Sequence, residues 1–210
     1  VPLMEAMWTR YLPCTDIVRQ LLADGALGEL ETVHADHGQY FAFDPAHRLY
    51  APELAGGALL DLGIYPLSFA FFALGTPGAL SVRGTLAQTG VDRQVSIVAD
   101  GFAAHPYAHA VLNTTLAART PTTASIAGSE ARIEIPGPFY APQRITVIPR
   151  DGVPLTSEPP AIAVHEGLCH EGAHFAQLVA DGGLESPLLP LDETLSIMET
   201  MDTIRARVVG

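Results

Sequence analysis

The sequence predicts an α+β fold built on an open, mostly antiparallel β-sheet with helices packed on one face. The first observation is a run of short segments rich in Val, Ile and Thr between Ala79 and Ile148, separated by turn residues. The second is that helical patterns stand before and after this run and not between its strands. The third is that no Gly-x-Gly-x-x-Gly sequence follows a strand, so a nucleotide-binding βαβ half is not predicted in this chain.

The N-terminal part is predicted to form a helix, a strand and a loop. Pro13 to Leu22 carries apolar residues at helical spacing, and Gly25 and Gly28 come directly after it. Leu30 to Phe43 is rich in β-branched and aromatic residues and predicts a long strand. Asp44 to Glu53 is predicted to be a loop because two prolines interrupt it.

A second helix is predicted to begin near Gly57 and to run to Leu74, where Gly75 and Pro77 end it. Pro66 lies inside this helix and removes one backbone donor, so we expect a kink or a tight turn there.

The remaining chain is predicted to form five or six strands and two helices within one domain that spans residues 1–210. Pro149 to Ala161 is rich in proline and is predicted to be a connector. His170 to Ala180 and Leu191 to Val208 have helical patterns. The strand segments are LSVRGTLAQ, QVSIVADGF, AHAVLNTTLAA, TTASIAG, ARIEIPG and RITVIPR.

Composition and charge exclude several classes of function. The net charge is −12 and all 11 basic residues are Arg, so we expect no binding to nucleic acid. Without any Lys, the chain cannot supply a Schiff-base or P-loop lysine. Its two cysteines, Cys14 and Cys169, are predicted to be free thiols.

The sequence predicts no membrane segment and no secretory signal. Its longest apolar run, around Pro66 to Leu74, is about half of the roughly 18–20 residues that a membrane helix needs. The first residues have no basic patch before an apolar core, so cytoplasmic location is the default expectation. The chain begins with Val1 and not with Met, which favours a segment of a longer protein.

Asp61 and Tyr65 are the leading candidates for catalysis. Four residues apart on a helix, their Cβ atoms would lie about 5–6 Å from each other. A carboxylate and a phenol at that separation can pass a proton, as the oxidation of an alcohol requires. The alternative is that Asp61 forms a cap or an ion pair and Tyr65 packs with its hydroxyl outward.

A zinc site is the competing interpretation. His170-Glu171-Gly172-Ala173-His174 matches the H-E-x-x-H motif, in which two histidines bind zinc and the glutamate activates water. Glu185 or Glu193 could be a third ligand. A glycine weakens the helix that the motif needs, and short motifs match by accident, so no metal is predicted. His34 and His37 lie three apart on a strand, point to opposite faces and cannot bind one ion together.

The segment AGGALLDLGIYPLSFAFFALG, from Ala55 to Gly75, resembles the GGG-x-LLD-x-G-x-Y/H-P-L segment of the Gfo/Idh/MocA oxidoreductases, named after glucose–fructose oxidoreductase and inositol dehydrogenase. The resemblance covers nearly the whole chain. The tyrosine form of the motif is closest to the dihydrodiol dehydrogenase and D-xylose dehydrogenase branch, whereas the inositol type usually has His in place of Tyr65. The other matching segments are EAMWTRYLP, DPAHRLYAPELAGG, GSEARIEIP and ESPLLPLDETLSIMETMDTIR.

The resemblance implies that the chain is the second half of a two-domain enzyme, with a sheet domain like that of dihydrodipicolinate reductase. Residues 1–12 would link it to an N-terminal domain that binds most of the cofactor, NAD or NADP. Tyr65 would move the hydroxyl proton, with Asp61 beside it, while hydride passes to nicotinamide. A free tyrosine has a pKa near 10, so a tyrosine base needs a neighbouring cation. The family supplies it from a lysine that this chain lacks.

Four further residues are candidates for binding. Trp8 and Arg10 follow the family's first domain and are predicted to contact the cofactor; the alternatives are an exposed linker ring and a surface cation. Arg48 could reach substrate hydroxyls or form an ion pair that braces its loop. Gly57, with Gly56, is predicted to allow close backbone approach at the helix start, with contact to substrate.

The expected substrate is a small polyol, sugar or cyclic diol. The exposed sheet face is predicted to form a homo-oligomer, because such sheets often pack together in the family. The alternative to the enzyme is a binding or assembly module without catalysis.

Overall fold

The computed structural model describes residues 1–159 and 163–209. Its helices are α1 (Pro13–Ala23), α2 (Ile64–Leu74), α3 (Leu168–Ala180) and α4 (Leu191–Val209). Its strands are β1 (Leu30–Gly38), β2 (Ala79–Leu86), β3 (Asp92–Asp100), β4 (His109–Thr115), β5 (Ala124–Gly128), β6 (Ala131–Ile135), β7 (Ile145–Pro149) and β8 (Leu155–Ser157).

The eight strands in the described part of the chain form one sheet in the order β2-β3-β4-β1-β5-β6-β7-β8. Neighbours are antiparallel except β1 and β4, which run parallel. Val33 of β1 lies opposite Ala110 on one side and Ile126 on the other. The mostly antiparallel sheet is therefore confirmed, but the first strand splits the predicted meander because it is inserted at its centre.

All six strand segments predicted between residues 79 and 150 are confirmed, and two boundaries were wrong. The strand β1 ends at Gly38 and not at Phe43. At Gly38 a side chain would collide with Thr115 and Thr120, so the backbone can pass there only as glycine. The strand β8 lies inside the predicted connector, paired to β7; residues 160 and 161 of that connector lie outside the described residues.

Alternate strand residues point into the core beneath the helices. Val33, Ile97, Ile126 and Ile133 are buried, and each such side chain contributes about 1.5–3 kcal/mol of hydrophobic free energy. Their neighbours along the strands are mostly exposed or half-buried on the other face. The helices α2 and α4 contact β1, β2 and β3, which confirms the predicted arrangement of helices on one face.

The second helix begins with a π-helical turn, Leu59–Gly63, and becomes α-helical at Ile64. The carboxylate of Asp92, the first residue of β3, accepts a hydrogen bond of 2.6 Å from the Leu59 N–H. The side chain of a sheet residue therefore caps the start of the turn. The sequence suggested a distortion at Pro66, and the structure places the wider turn just before it.

The expectation that no apolar stretch is long enough to cross a membrane was wrong. Pro52–Leu74 spans 23 residues, with a mean hydropathy of 1.6 in its most apolar window. Within the fold, 72 % of that window is buried, as is usual for a core helix.

The N-terminal segment is part of the packed body. Trp8–Tyr11 forms a 3₁₀ turn whose four residues are buried, and α1 follows it at the predicted place. Another 3₁₀ turn, Val164–Gly167, leads into α3. Both cysteines are free, as predicted, with Cys14 buried and Cys169 exposed.

Candidate active site

Asp61 and Tyr65 lie where the π turn passes into α2. Asp61 forms an ion pair of 2.8 Å between its Oδ1 and Nη1 of Arg48. Arg48 belongs to a short 3₁₀ turn in the preceding loop. The two functions weighed for Arg48 are thus compatible, since it braces its loop by pairing with the candidate catalytic carboxylate.

Aromatic rings surround Tyr65. The indole Nε1–H of Trp8 donates a hydrogen bond of 3.4 Å to Tyr65 Oη. The Tyr140 ring lies 5.0 Å from the Tyr65 ring, and the His37 ring meets it edge-on at 5.4 Å. Such tilted and edge-on pairs are favourable arrangements for aromatic side chains. The phenol is therefore held by three neighbours from different parts of the chain.

Trp8 lies against Tyr65, and its predicted contact with the cofactor stays a prediction. Its side chain is buried, which excludes the alternative of an exposed linker ring. The hydroxyl of Thr9 donates a hydrogen bond of 2.6 Å to the Tyr140 carbonyl, so the 3₁₀ turn and the β6–β7 loop are fixed together. This bond keeps Trp8 close to Tyr140, and the centres of their rings lie 6.1 Å apart.

His37 and Tyr140 are site residues that the sequence analysis missed. His37 is 2 % exposed, whereas His34 is exposed, so the predicted opposite orientation of these two histidines is confirmed. Burial lowers the pKa of His37, against the effects of the Leu62 carbonyl and of Asp61. Burial, and then the neighbouring Tyr65, raise the pKa of Tyr140. The alternation along β1 could have shown that His37 is buried, but not that it meets Tyr65.

A groove of about 310 Å³ opens beside Tyr65 between α2 and α4. Its wall is mostly apolar, with Ser68 and Thr194 as hydroxyl groups and Glu5 at one side. Clefts of this kind, with a few polar groups, are typical sites for small molecules. The apolar lining residues are Ala6, Met7, Leu60, Ile64, Leu189, Ile197, Met198 and Met201.

The side chain of Arg10 has its partners within the fold, and its predicted cofactor contact stays a prediction. Its side chain is 4 % exposed, pairs with Glu193 at 2.6 Å and donates to the Ser68 carbonyl at 2.9 Å. Its guanidinium also lies 5.2 Å from the centre of the Phe72 ring. Burial lowers the pKa of Arg10, and Glu193 opposes this effect. Arg10 is thus a buried ion-pair residue that joins the N-terminal turn to α2 and α4.

Gly57 is also explained without a contact to substrate. Its backbone has a φ of +121°, and a side chain there would collide with the carboxylate of Asp92. At Gly56 a side chain would meet the backbone carbonyl oxygens of Leu49 and Arg48 at 2.7 and 2.8 Å. The predicted close backbone approach is therefore present at both glycines, and its partner at Gly57 is the capping carboxylate.

The H-E-x-x-H string does not come together as a metal centre. His174 Nε2 lies 2.9 Å from the Ser186 hydroxyl, and its ring packs on Tyr11. Of the two possible third ligands, Glu193 pairs with Arg10 and Glu185 accepts a hydrogen bond from the Leu191 N–H. Across residues 1–159 and 163–209, no group of three or more His, Cys, Asp and Glu is arranged to hold an ion.

Comparisons with known proteins show the family of this chain. Residues 16–134 match the model of the GFO/IDH/MocA C-terminal domain. The chain is 32 % identical over 205 residues to trans-1,2-dihydrobenzene-1,2-diol dehydrogenase of Xenopus laevis, covering 95 % of this chain and 61 % of that protein. It is 33 % identical over 231 residues to D-xylose 1-dehydrogenase (NADP(+)) of Hypocrea jecorina, covering 95 % and 58 %.

Among solved structures, the aldose-aldose oxidoreductase from Caulobacter crescentus has the same fold. The TM-score is 0.78 at 22 % identity, over 96 % of this chain and 60 % of that one. The chain thus spans about three fifths of the length of the relatives that it matches.

Proposed function

The chain belongs to the GFO/IDH/MocA family, and from this membership we propose that it is the substrate-side catalytic domain of an NAD(P)-dependent oxidoreductase. Its substrate is a polyol, a sugar or a cyclic diol. The observation that carries the proposal is the placement of Asp61 and Tyr65 on one turn. Trp8 donates a hydrogen bond to the phenol, and Arg48 forms an ion pair with the carboxylate.

Tyr65 is the group that exchanges a proton with the substrate hydroxyl. Its oxygen accepts the Trp8 N–H, a bond that becomes stronger when the phenol is deprotonated. The cation that favours this deprotonated form comes from outside the chain, since the chain has no Lys and Arg48 is paired with Asp61. Asp61 accepts a hydrogen bond from a second hydroxyl of the polyol, sugar or diol, which orients the reacting hydroxyl toward Tyr65.

Only the reactive end of a nicotinamide dinucleotide fits the residues of this chain. The groove beside Tyr65 has mostly apolar walls, which suit a flat aromatic ring. Its described lining includes no basic residue that could bind a pyrophosphate. When bound, oxidised nicotinamide accepts a hydride from the carbon that carries the alcohol. The rest of the dinucleotide is held by the part of the protein outside this chain.

The substrate class follows from the relatives and from the rings at the site. The two curated relatives are named for a cyclic diol and for a sugar. The Tyr140 and Trp8 rings offer apolar surface beside Tyr65, and a cyclic substrate presents a face that can contact them.

The helix-free face of the sheet forms a dimer with a second copy. Val98 and Val111 are exposed on this face and lie opposite each other on β3 and β4. Exposed apolar pairs on an open sheet are typical of an interaction surface.

The test is an assay of the full-length protein with NAD⁺ and NADP⁺ against a panel of polyols, aldoses and cyclic trans-diols. We expect reduction of one dinucleotide with at least one of these substrates, and loss of that activity in Tyr65→Phe. A well-folded dimer that neither binds nor reduces a dinucleotide would instead support an assembly module.

A further inference from the structure

His37 links the backbone of the catalytic turn to the ring of Tyr65. It enters from β1, whereas Asp61 and Tyr65 belong to the second helix. Its side chain is almost fully buried, so each of its contacts is made within the protein. In the proposed reaction Tyr65, and not His37, exchanges the proton, so the contacts of His37 must have another role.

The Nδ1 atom of His37 lies 3.2 Å from the carbonyl oxygen of Leu62. In an α-helix that carbonyl would accept the N–H of residue 66, but Pro66 has none; its backbone partner here is the Ile64 N–H, and His37 is a second donor to it. Since a carbonyl can only accept, Nδ1 carries the proton and donates it. Leu62 directly follows Asp61, so this bond fixes the peptide next to the catalytic carboxylate.

The second ring nitrogen completes the assignment. Nε2 of His37 lies 3.1 Å from the amide nitrogen of Gln39. With the proton on Nδ1, neutral Nε2 accepts a hydrogen bond from that amide. Protonation of Nε2 would place two donors against each other and break this bond.

The His37 ring also limits the movement of Tyr65. It lies 5.4 Å from the Tyr65 ring, edge-on, and 4.7 Å from the Tyr140 ring. Because Tyr65 and Tyr140 are themselves 5.0 Å apart, the three rings are in mutual contact. A shift of the imidazole therefore shifts the phenol.

Charged and titratable groups from several elements surround His37 and determine its pKa. Asp36 on its own strand and Asp61 on the π turn favour the charged ring, while Asp61 is itself paired with Arg48. Tyr65 on α2 and Tyr140 in the β6–β7 loop present their rings. Desolvation exceeds the attraction of the carboxylates, so the pKa of His37 lies below its ordinary value.

We propose that His37 is a positioning residue for the reaction proposed above: its neutral imidazole, held between the Leu62 carbonyl and Gln39, keeps the Tyr65 ring in place, and its protonation in acid breaks the bond to Gln39 and shifts the imidazole against Tyr65. The inference rests on the proposed function for its kinetic consequence. Its structural part, an acid-sensitive contact between His37 and the Tyr65 cluster, stands without it.

The kinetic test uses the full-length protein with the variants His37→Phe and His37→Asn. Phe keeps a ring but loses both hydrogen bonds, whereas Asn keeps an N–H donor near the place of Nδ1. We expect kcat to fall about tenfold in His37→Phe, as for the loss of one buried hydrogen bond, with KM for the dinucleotide unchanged. His37→Asn should recover most of kcat and lose the part of the acid limb of the kcat profile that His37 causes, because the amide does not titrate.

The matched control is His105→Asn. His105 precedes β4 at the end of the sheet opposite Gly38 and Thr115, and this variant should keep the wild-type kcat and acid limb. The proposal is overturned if His37→Phe retains wild-type kcat, or if the acid limb of His37→Asn is unchanged from that of the wild type.

A second readout needs no activity and separates this proposal from the proposed function. Trp8 is the single tryptophan of the chain and donates a hydrogen bond to Tyr65. Its fluorescence emission therefore reports on the packing of the rings of His37, Tyr65 and Tyr140. The Trp8 signal is the part of the full-length protein's emission that Trp8→Phe removes. It should change with pH, with a midpoint below the ordinary histidine value of about 6.5, at constant circular dichroism. The change should vanish in His37→Asn and persist in His105→Asn. A signal that does not change with pH, or that changes equally in His37→Asn, overturns the proposal even where no oxidoreductase activity is found.

Discussion

The guanidinium of Arg48 lies 2.8 Å from the carboxylate of Asp61, so a loop residue and the π turn are joined at the candidate active site. Arg48 is 63 % exposed and Asp61 is 25 % exposed. An ion pair with so exposed a partner adds little to the free energy of unfolding. The effect of this pair is therefore to orient the carboxylate one helical turn from Tyr65.

Replacing Arg48 by Gln should impair substrate binding without unfolding the protein. We expect KM for the alcohol to rise about tenfold, because Asp61 loses the partner that orients it. The free energy of unfolding should change by less than about 1 kcal/mol. Steady-state kinetics and urea unfolding of the full-length protein measure the two effects. Arg150→Gln is the control, since Arg150 forms a similarly exposed pair with Glu130 and should leave KM unchanged.

Replacing Tyr65 by Phe should abolish most of the turnover. The phenol is the proposed proton carrier, and loss of such a group lowers kcat by about 10²–10⁴-fold. The affinity for dinucleotide, measured by fluorescence titration, should stay within about twofold, because the proposed function assigns most of the binding of that ligand to another part of the protein.

The control for this variant is Tyr107→Phe, which removes the hydroxyl of a highly exposed tyrosine in the β3–β4 turn. Its kcat should equal that of the wild type. A Tyr65→Phe enzyme with normal kcat would remove Tyr65 from the reaction.

Local patterns were sufficient to predict much of this fold. The alternation along β3, with Val95 and Ile97 buried and Ser96 exposed, is a period of two that any reader of the sequence can see. The apolar residues of α4, such as Ile197 and Ile204, recur at helical spacing in the same way.

What could not be predicted depends on contacts between distant residues. The parallel pairing of β1 with β4 joins segments about 77 residues apart, as in the pair Thr32 and His109. The partners that Arg10 and Gly57 have within the fold, Glu193 and Asp92, could not be predicted for the same reason, since they lie far away in sequence. His37 was not predicted as a site residue, because no residue near it in the sequence indicates its contact with Tyr65.

Replacing Gly57 by Ala should destabilise the protein more than a typical glycine substitution. The φ of +121° is strained for Ala, and the new methyl group would also collide with the carboxylate of Asp92. We expect a loss of about 3 kcal/mol in the free energy of unfolding. Gly182→Ala is the control: its φ is +72° but nothing lies within 4 Å of the added carbon. There, the strain alone should cost about 1 kcal/mol. Equal losses in the two variants would show that Asp92 exerts no steric effect.

The capping carboxylate should give the protein a pH-dependent stability. Burial raises the pKa of Asp92 above its ordinary value of 3.8, against the hydrogen bonds from the turn. The folded state therefore binds a proton more tightly than the unfolded state, and this contribution to stability falls as pH rises from about 3.8 through the folded pKa. Urea unfolding at a series of pH values measures this effect. Over that window the free energy of unfolding of the wild type should fall relative to that of Asp92→Asn. Asp151→Asn, at an exposed turn, should give a constant difference.

The open face of the sheet should control the oligomeric state. Val98 and Val111 are opposite each other on β3 and β4 and point away from the helices. In Val111→Arg, a charge placed in the centre of the proposed interface must be desolvated without a partner, at a cost of several kcal/mol. We expect light scattering to show a dimer for the wild-type full-length protein and a monomer for this variant. Val153→Arg is the control, because Val153 is exposed in the β7–β8 turn and should leave the dimer intact. A Val111→Arg protein that remains dimeric would show that the interface is on another surface. A wild-type protein that is monomeric would show that this face forms no dimer, since exposed apolar side chains are common on protein surfaces.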